Sequence, residues 1–280
     1  MTAEEARRAL DALGRLPEEE IALGEAALLL AAVDRPGEGF AAARAALSAL
    51  AREAVAAGQA DPAAEAGDAE ARRAVLAGLL HRRHGFSGDS ETYEDPANAN
   101  LIRVLERRRG LPVALGILWL HCAGALGWPV SGTSFPGHFL LLVEGRGGRR
   151  VVDPFDGGKA LEAAELRALL KRVHGQAAEL RPDMLRPVGP RDVLLRLQNN
   201  IKLRRLRSGD LAGALAATED MLRIAPDAAP LWREAALMNQ RLERIGQALL
   251  CIERFLALAP SGAAAEEARA LAGRWRARLN

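Results

Sequence analysis

Cysteine is nearly absent from this 280-residue chain, which carries only Cys122 and Cys251, far apart and each in apolar, helix-like surroundings. Two such distant thiols make no disulfide framework, so a reducing, cytoplasmic setting is expected. Aromatic residues are scarce at 4%, with a single tyrosine, while 49% of residues are hydrophobic and many of those are alanine. That balance favours helix. Neither sign of charge dominates: 38 Lys and Arg stand against 36 Asp and Glu, a net charge of +2, which does not mark a nucleic-acid binder. The basic runs ERRRG (106–110) and KLRRLR (202–207) read as solvated helix faces. No stretch approaches about 18 uninterrupted apolar residues. The opening MTAEEARRALDALGRL is amphipathic and mixed in charge, so neither a membrane span nor a secretory signal is expected. A glycine-rich phosphate loop following a strand is missing too, which argues against nucleotide and dinucleotide sites, and no cofactor is expected.

The length allows one long domain or two shorter ones. Residues 1–85 read as a helical segment packed on the core, with helices over 21–37 and 39–58 and a polar linker or helix start at 61–70. Residues 86–97, SGDSETYEDPAN from Ser87 on, read as loop. A helix over 99–110 is predicted next, capped by Asn98 or Asn100 and ended by Gly110, and then a helix over 112–126 that starts on Pro112. The apolar runs 129–135, 137–145 and 149–155 predict antiparallel strands, and 159–175 predicts another helix. Together 86–180 form an α+β core. A proline-bearing connector, 181–194, is the expected domain boundary.

Beyond it lies a repeat. Pro226 and Pro260, Ala214 and Ala248, and Leu222 and Leu256 all stand 34 residues apart, a helix-turn-helix period of tetratricopeptide type. Residues 195–280 are therefore expected to hold two repeats, 195–228 and 229–262, and a final helix, 263–279, covering the open end.

The candidate chemistry lies in the core. His138 follows Pro136 and Gly137 in GTSFPGHFLLLVEG, and Asp153 ends the strand of RRVVDPFDGG. A carboxylate beside an imidazole fixes its tautomer and supports its charged form, so the two are expected to meet across the hairpin. Asn100 and Arg103 are candidate neighbours. A thiol nucleophile would gain from the start of a helix, but the corresponding turn, GLPVALG (110–116), offers only Pro112, Ala114 and other inert side chains. Cys122 lies about 15 Å further along the axis at 1.5 Å per residue and reads as core, as does Cys251. Ser131, Thr133 and Ser134 lack an elbow motif. His81 and His84 share a helical face and could ligate zinc if His138 or Asp153 approached, but no sequence signal brings them together. His121 and His174 carry no partner signal, and no metal site is expected.

The run from SETYEDPANANLIRVLERRRGLPVALGILWLHCAGALGW through FPGHFLLLVEG to VVDPFDGG resembles the bacterial transglutaminase-like family whose members join such a core to C-terminal tetratricopeptide repeats and are commonly described as regulators. The likeness covers roughly residues 15–270. It implies a papain-like arrangement in which a cysteine starts the core helix, a histidine begins the next strand and an aspartate ends the strand after it. His138 and Asp153 match the last two, and the cysteine position falls near Pro112. Ala114 stands where the resemblance implies a frequent serine. The resemblance thus implies a binding or regulatory protein that engages an unidentified protein or peptide through its repeat surface. The alternative is a hydrolase or peptidase in which His138 and Asp153 work with an activated water or an unassigned nucleophile.

Overall fold

The computed structural model describes residues 1–37 and 39–277. Helices fill the first part of the chain, as the periodicity predicts: α1 (Ala3–Leu13), α2 (Leu23–Asp34), α3 (Phe40–Gln59), α4 (Pro62–Glu65) and α5 (Ala69–Ala77). The polar stretch 61–70 holds two helix starts. Asp61 accepts the N–H groups of Ala63 and Ala64, and Asp68 that of Ala71, so carboxylate oxygens satisfy first-turn donors that no helix can satisfy internally. After α5 the backbone widens into a π turn over Gly78–Arg83.

Residues 86–97 are not loop throughout. β1 (Ser87–Gly88) pairs in parallel with β2 (Arg109–Gly110), and Pro96–Asn98 form a 3₁₀ turn. Between them α6 (Leu101–Arg107) is capped by Asn100, whose Oδ1 accepts the Arg103 N–H at 3.2 Å. It ends before Gly110 because Arg108 adopts φ of 58° and the next two residues are drawn into the β1–β2 pair. α7 (Pro112–Ala125) begins on its proline, whose missing N–H costs nothing there.

The sheet comprises β3 (Val130–Thr133), β4 (Leu141–Gly145), β5 (Gly148–Asp153) and β6 (Lys159–Leu161), followed by α8 (Ala163–His174) and an edge strand, β7 (Pro187–Val188). Its order is β6-β5-β4-β3-β7, antiparallel throughout. The helix predicted from 159 starts later because Lys159, Ala160 and Leu161 pair with Asp153, Val152 and Val151. A reciprocal Glu162–Glu165 capping box then opens α8. The stretch read as connector also contributes structure, since Pro187–Val188 extend the sheet where an edge tolerates proline. Phe135, Leu140, Leu142 and Val151 pack on Leu166 and Leu170 of α8. Phe139 fits between α7 and β3 at two glycines: a Cβ on Gly116 would lie 2.3 Å from its ring, and one on Gly132 2.8 Å.

The C-terminal helices are α9 (Pro190–Arg207), α10 (Leu211–Ile224), α11 (Ala229–Arg241), α12 (Ile245–Leu258) and α13 (Ala263–Arg276). α10 and α12 are offset by 34 residues at both ends, and α11 and α13 start with the same offset. Ala214, Leu215, Met221, Leu231 and Ala235 form one apolar cluster, and Ile245, Ile252, Phe255, Ala268 and Trp275 another. The expected final helix reached 279, of which residues 278 and 279 lie outside the described residues.

Two compact units result, Met1–Ala6 with Pro17–Val193, and Arg7–Leu16 with the chain from Leu194 on. The N-terminal helices expected on the core therefore do not all belong to it. Residues 7–16 join the repeat unit, where Arg7 Nε lies 3.1 Å from Asp220 Oδ1 and Asp11 lies 2.7 Å from Arg223 Nη1.

Candidate functional site

The site grows from a loop and a strand end. After β3 the chain buries Phe135 and turns at Gly137, whose φ of 73° suits glycine. A Cβ there would meet Val173 Cγ1 at 2.2 Å, so this loop can close on α8 only without a side chain. His138 follows in the loop, three residues before β4, rather than on the strand itself. Asp153 closes β5. Its Oδ2 lies 2.9 Å from His138 Nε2, while Oδ1 accepts the Phe155 N–H at 2.9 Å. The Gly158 N–H donates to the Asp153 carbonyl at 3.0 Å, which folds 153–158 into a tight turn. The two side chains are 15% and 10% exposed. Phe155 stands edge-on to the His138 ring at 6.3 Å, and Tyr93 stands edge-on to Phe155 at 5.9 Å. A carboxylate at Nε2 orients the imidazole so that Nδ1 faces away from it, the nitrogen a base would use in a Cys-His-Asp arrangement.

The first turn of α7 offers no nucleophile. Pro112, Val113 and Ala114 form a buried, inert first turn of α7. Cys122 is buried two turns further on, with its Sγ 3.9 Å from the Leu50 carbonyl. Burial raises its thiol to about 12, so it stays neutral and unreactive at physiological pH.

The other candidates are engaged elsewhere. Asn100 caps α6 and donates through Nδ2 to the Ala31 carbonyl at 3.1 Å, and Arg103 pairs with Glu106 at 2.5 Å. Ser134 Oγ donates to the Asp183 carbonyl at 2.8 Å, and Ser131 lies in the β3–β4 ladder. His84 meets Glu53 at 2.9 Å. Among the described residues, no group of three or more His, Cys, Asp or Glu side chains is arranged to hold a metal ion.

Two features escaped the sequence reading. His81 links three segments around the site: Nδ1 lies 2.7 Å from the Phe86 carbonyl, and Nε2 accepts the Trp119 indole N–H at 3.0 Å. Since a carbonyl only accepts, Nδ1 carries the hydrogen. Burial pushes the His81 pKa down, and the Trp119 ring packs beneath Gly158 of the Asp153 turn. The second feature is a clamp made by the ERRRG run, which is no mere solvated face. Arg107 holds Asp89 at 3.1 Å and Asp95 at 3.3 Å, Arg109 holds Glu91 at 3.0 Å, and Arg108 donates to the His84 carbonyl at 2.8 Å. Asp89 also accepts from the Thr92 hydroxyl and N–H, and the hydroxyl bond foremost lowers its carboxyl to about 2. This network fastens the loop that carries Tyr93. The Asp-x-x-Thr spacing was the available signal, since such a carboxylate can bond the residue three positions on.

An α+β core with a His/Asp pair, followed by a helical repeat unit, defines a transglutaminase-like class of protein joined to a tetratricopeptide domain. Comparison with known proteins places the chain there: residues 41–199 match the transglutaminase-like superfamily and residues 201–273 match a tetratricopeptide repeat model, and the chain belongs to the transglutaminase-like superfamily. A UPF0162 protein of Vibrio cholerae is 34% identical over 200 residues, covering 71% of this chain and 74% of that one. A UPF0162 protein of Xylella fastidiosa (strain Temecula1) is 33% identical over 193 residues, covering 68% and 69%. Protein SirB1 of Salmonella typhimurium is 26% identical over 196 residues, covering 70% and 72%. Among solved structures, menin aligns over 91% of this chain and 69% of its own with a TM-score of 0.44 and 11% identity, too little to carry any property across. The tetratricopeptide fold is one generally used for protein–protein interaction. Among the described residues, no helix is long and apolar enough to cross a membrane.

Proposed function

We propose that this chain is a transglutaminase-like protein without thiol chemistry that acts as a protein-binding or regulatory module in the cytoplasm. In this reading residues 86–180 hold a site kept for binding or for structure, and residues 195–280 take a protein or peptide partner. The reading rests on the first turn of α7: where the nucleophile would stand, the chain has Pro112, Val113 and Ala114, and its nearby thiol, Cys122, is buried with a pKa raised to about 12. Two free cysteines support the reducing compartment. The test screens the purified protein and a His138→Ala variant against peptide, amide and ester libraries, alongside partner capture. No turnover above the variant, with partner binding retained in it, is the expected result.

The 2.9 Å His138–Asp153 contact favours one alternative, hydrolysis by a water that His138 deprotonates. General base catalysis of that kind contributes about 10² to 10⁴ in rate when substrate is held close to the base. Robust turnover abolished by His138→Ala would establish it and overturn the first reading. Loss of folding in the variant, with neither turnover nor partner binding in the parent, would assign the pair a purely structural role.

A further inference from the structure

His81 can hold Trp119 in only one protonation state. Its Nδ1–H donates to the Phe86 carbonyl at 2.7 Å, and its Nε2 accepts the Trp119 indole N–H at 3.0 Å. The two rings stand 5.7 Å apart at 42°. A proton on Nε2 would set two N–H donors against each other, and an indole, which only donates, cannot reverse its role. What that indole supports is the candidate site. Trp119 is fully buried, and a Cβ on Gly158 would lie 2.5 Å from its Cζ2, so the turn after β5 rests directly on the ring. The Gly158 N–H bonds the Asp153 carbonyl at 3.0 Å, and Asp153 Oδ2 meets His138. Hydrogen bond, ring contact and turn thus run without a gap from His81 to the His138–Asp153 pair.

We propose that His81 is a proton-operated support for this pair: neutral, it fixes Trp119 beneath the Asp153 turn, and protonated, it releases the indole and loosens Asp153 from His138. The inference rests on His138 and Asp153 being the site. The groups around the imidazole set the range. Burial, the foremost cause, holds its pKa below the usual 6.5; the Phe86 carbonyl and Asp153 favour the charged form, and Arg82 opposes it. Arg73 of α5 binds Glu70 and the Gly158 carbonyl, Glu53 of α3 is taken by His84 and Arg83, and α7 contributes the uncharged indole. Because the folded-state pKa is lowered, the support is in place at pH 6.5 and above and is released as pH falls through that lower value.

Hydrogen exchange and ¹⁵N NMR of the full chain, from about pH 7.5 down to about 4.5 across the histidine range, read this device without turnover or a partner. Its failure would therefore not be that of the binding reading. As the His81 ring titrates, the Trp119 indole signal should shift with the same midpoint. The protection factors of the Gly158 and Phe155 amides, both bonded to Asp153, should fall by about tenfold, the worth of one hydrogen bond. Amides of the β3–β4 ladder should keep theirs. His81→Gln, whose amide can replace both ring contacts but takes up no proton, should hold the indole and both amides in place throughout. The parent decides even if this variant fails to fold. A His81 ring that stays neutral over the whole range, or one that titrates with indole and amides unmoved, would overturn the proposal. So would an equal loss of protection in β3 and β4, or the same local loss in a folded His81→Gln variant.

Discussion

Replacing Asp89 by asparagine should loosen the loop over the candidate site, by an amount that depends on pH. Asp89 is 1% exposed, and its oxygens accept the Thr92 N–H at 2.8 Å, the Thr92 hydroxyl at 2.6 Å and the Arg107 guanidinium at 3.1 Å. Asparagine keeps one acceptor but points an NH₂ group at donors, leaving the Arg107 charge without its buried partner. Hydrogen bonds to charged groups contribute about 1.5 to 3 kcal/mol. The same contacts show in the acidity of the group: a tenfold change is worth about 1.4 kcal/mol, so a carboxyl lowered from 3.8 to about 2 corresponds to about 2.5 kcal/mol. A loss of about 2 kcal/mol at pH 7 agrees with both. Because the folded-state pKa lies below the unfolded one, this stabilisation is complete above about pH 4 and fades as pH falls through about 2. Urea unfolding of Asp89→Asn and the parent at pH 7, 4 and 3 should therefore show a gap that narrows on acidification. Equal stability at pH 7, or a gap that stays constant down to pH 3, would refute the reasoning.

Other contacts carry equally direct expectations. Gly116→Ala should cost about 1 to 3 kcal/mol, because its methyl would lie 2.3 Å from the Phe139 ring; thermal unfolding measures it. Cys122 should resist Ellman's reagent at pH 8 in the folded protein and react on denaturation, since its thiol is held at about 12; quantitative labelling in the native state would contradict this. His81 is held neutral by burial, so its folded-state pKa lies below 6.5 and its share of stability, complete above pH 6.5, is lost as pH falls toward the lower folded value. His81→Gln should flatten the parent's stability decline between pH 6.5 and 5, as followed by chemical denaturation.

Much of this was legible in the linear chain because it depends on local rules. The 34-residue offset marked the repeats, Pro112 marked the start of α7, and the short apolar runs divided by proline and glycine marked three strands of the sheet. The order of helix, histidine and aspartate also pointed to a pairing of His138 with Asp153, and the structure brings the two within 2.9 Å. What the chain could not disclose were partners chosen across long sequence distances. Arg7 and Asp11 find Asp220 and Arg223 more than 200 residues away, and so α1 is shared between units. Asn100, as good a site candidate by type as any amide, turns to the end of α2 instead. His81 looked like an ordinary helix histidine until the π turn and α7 set Phe86 and Trp119 at its two nitrogens. Periodicity and turn chemistry are properties of neighbouring residues and can be read in order. A buried hydrogen bond exists only when folding removes water from both partners, and which two groups then meet is decided by tertiary packing.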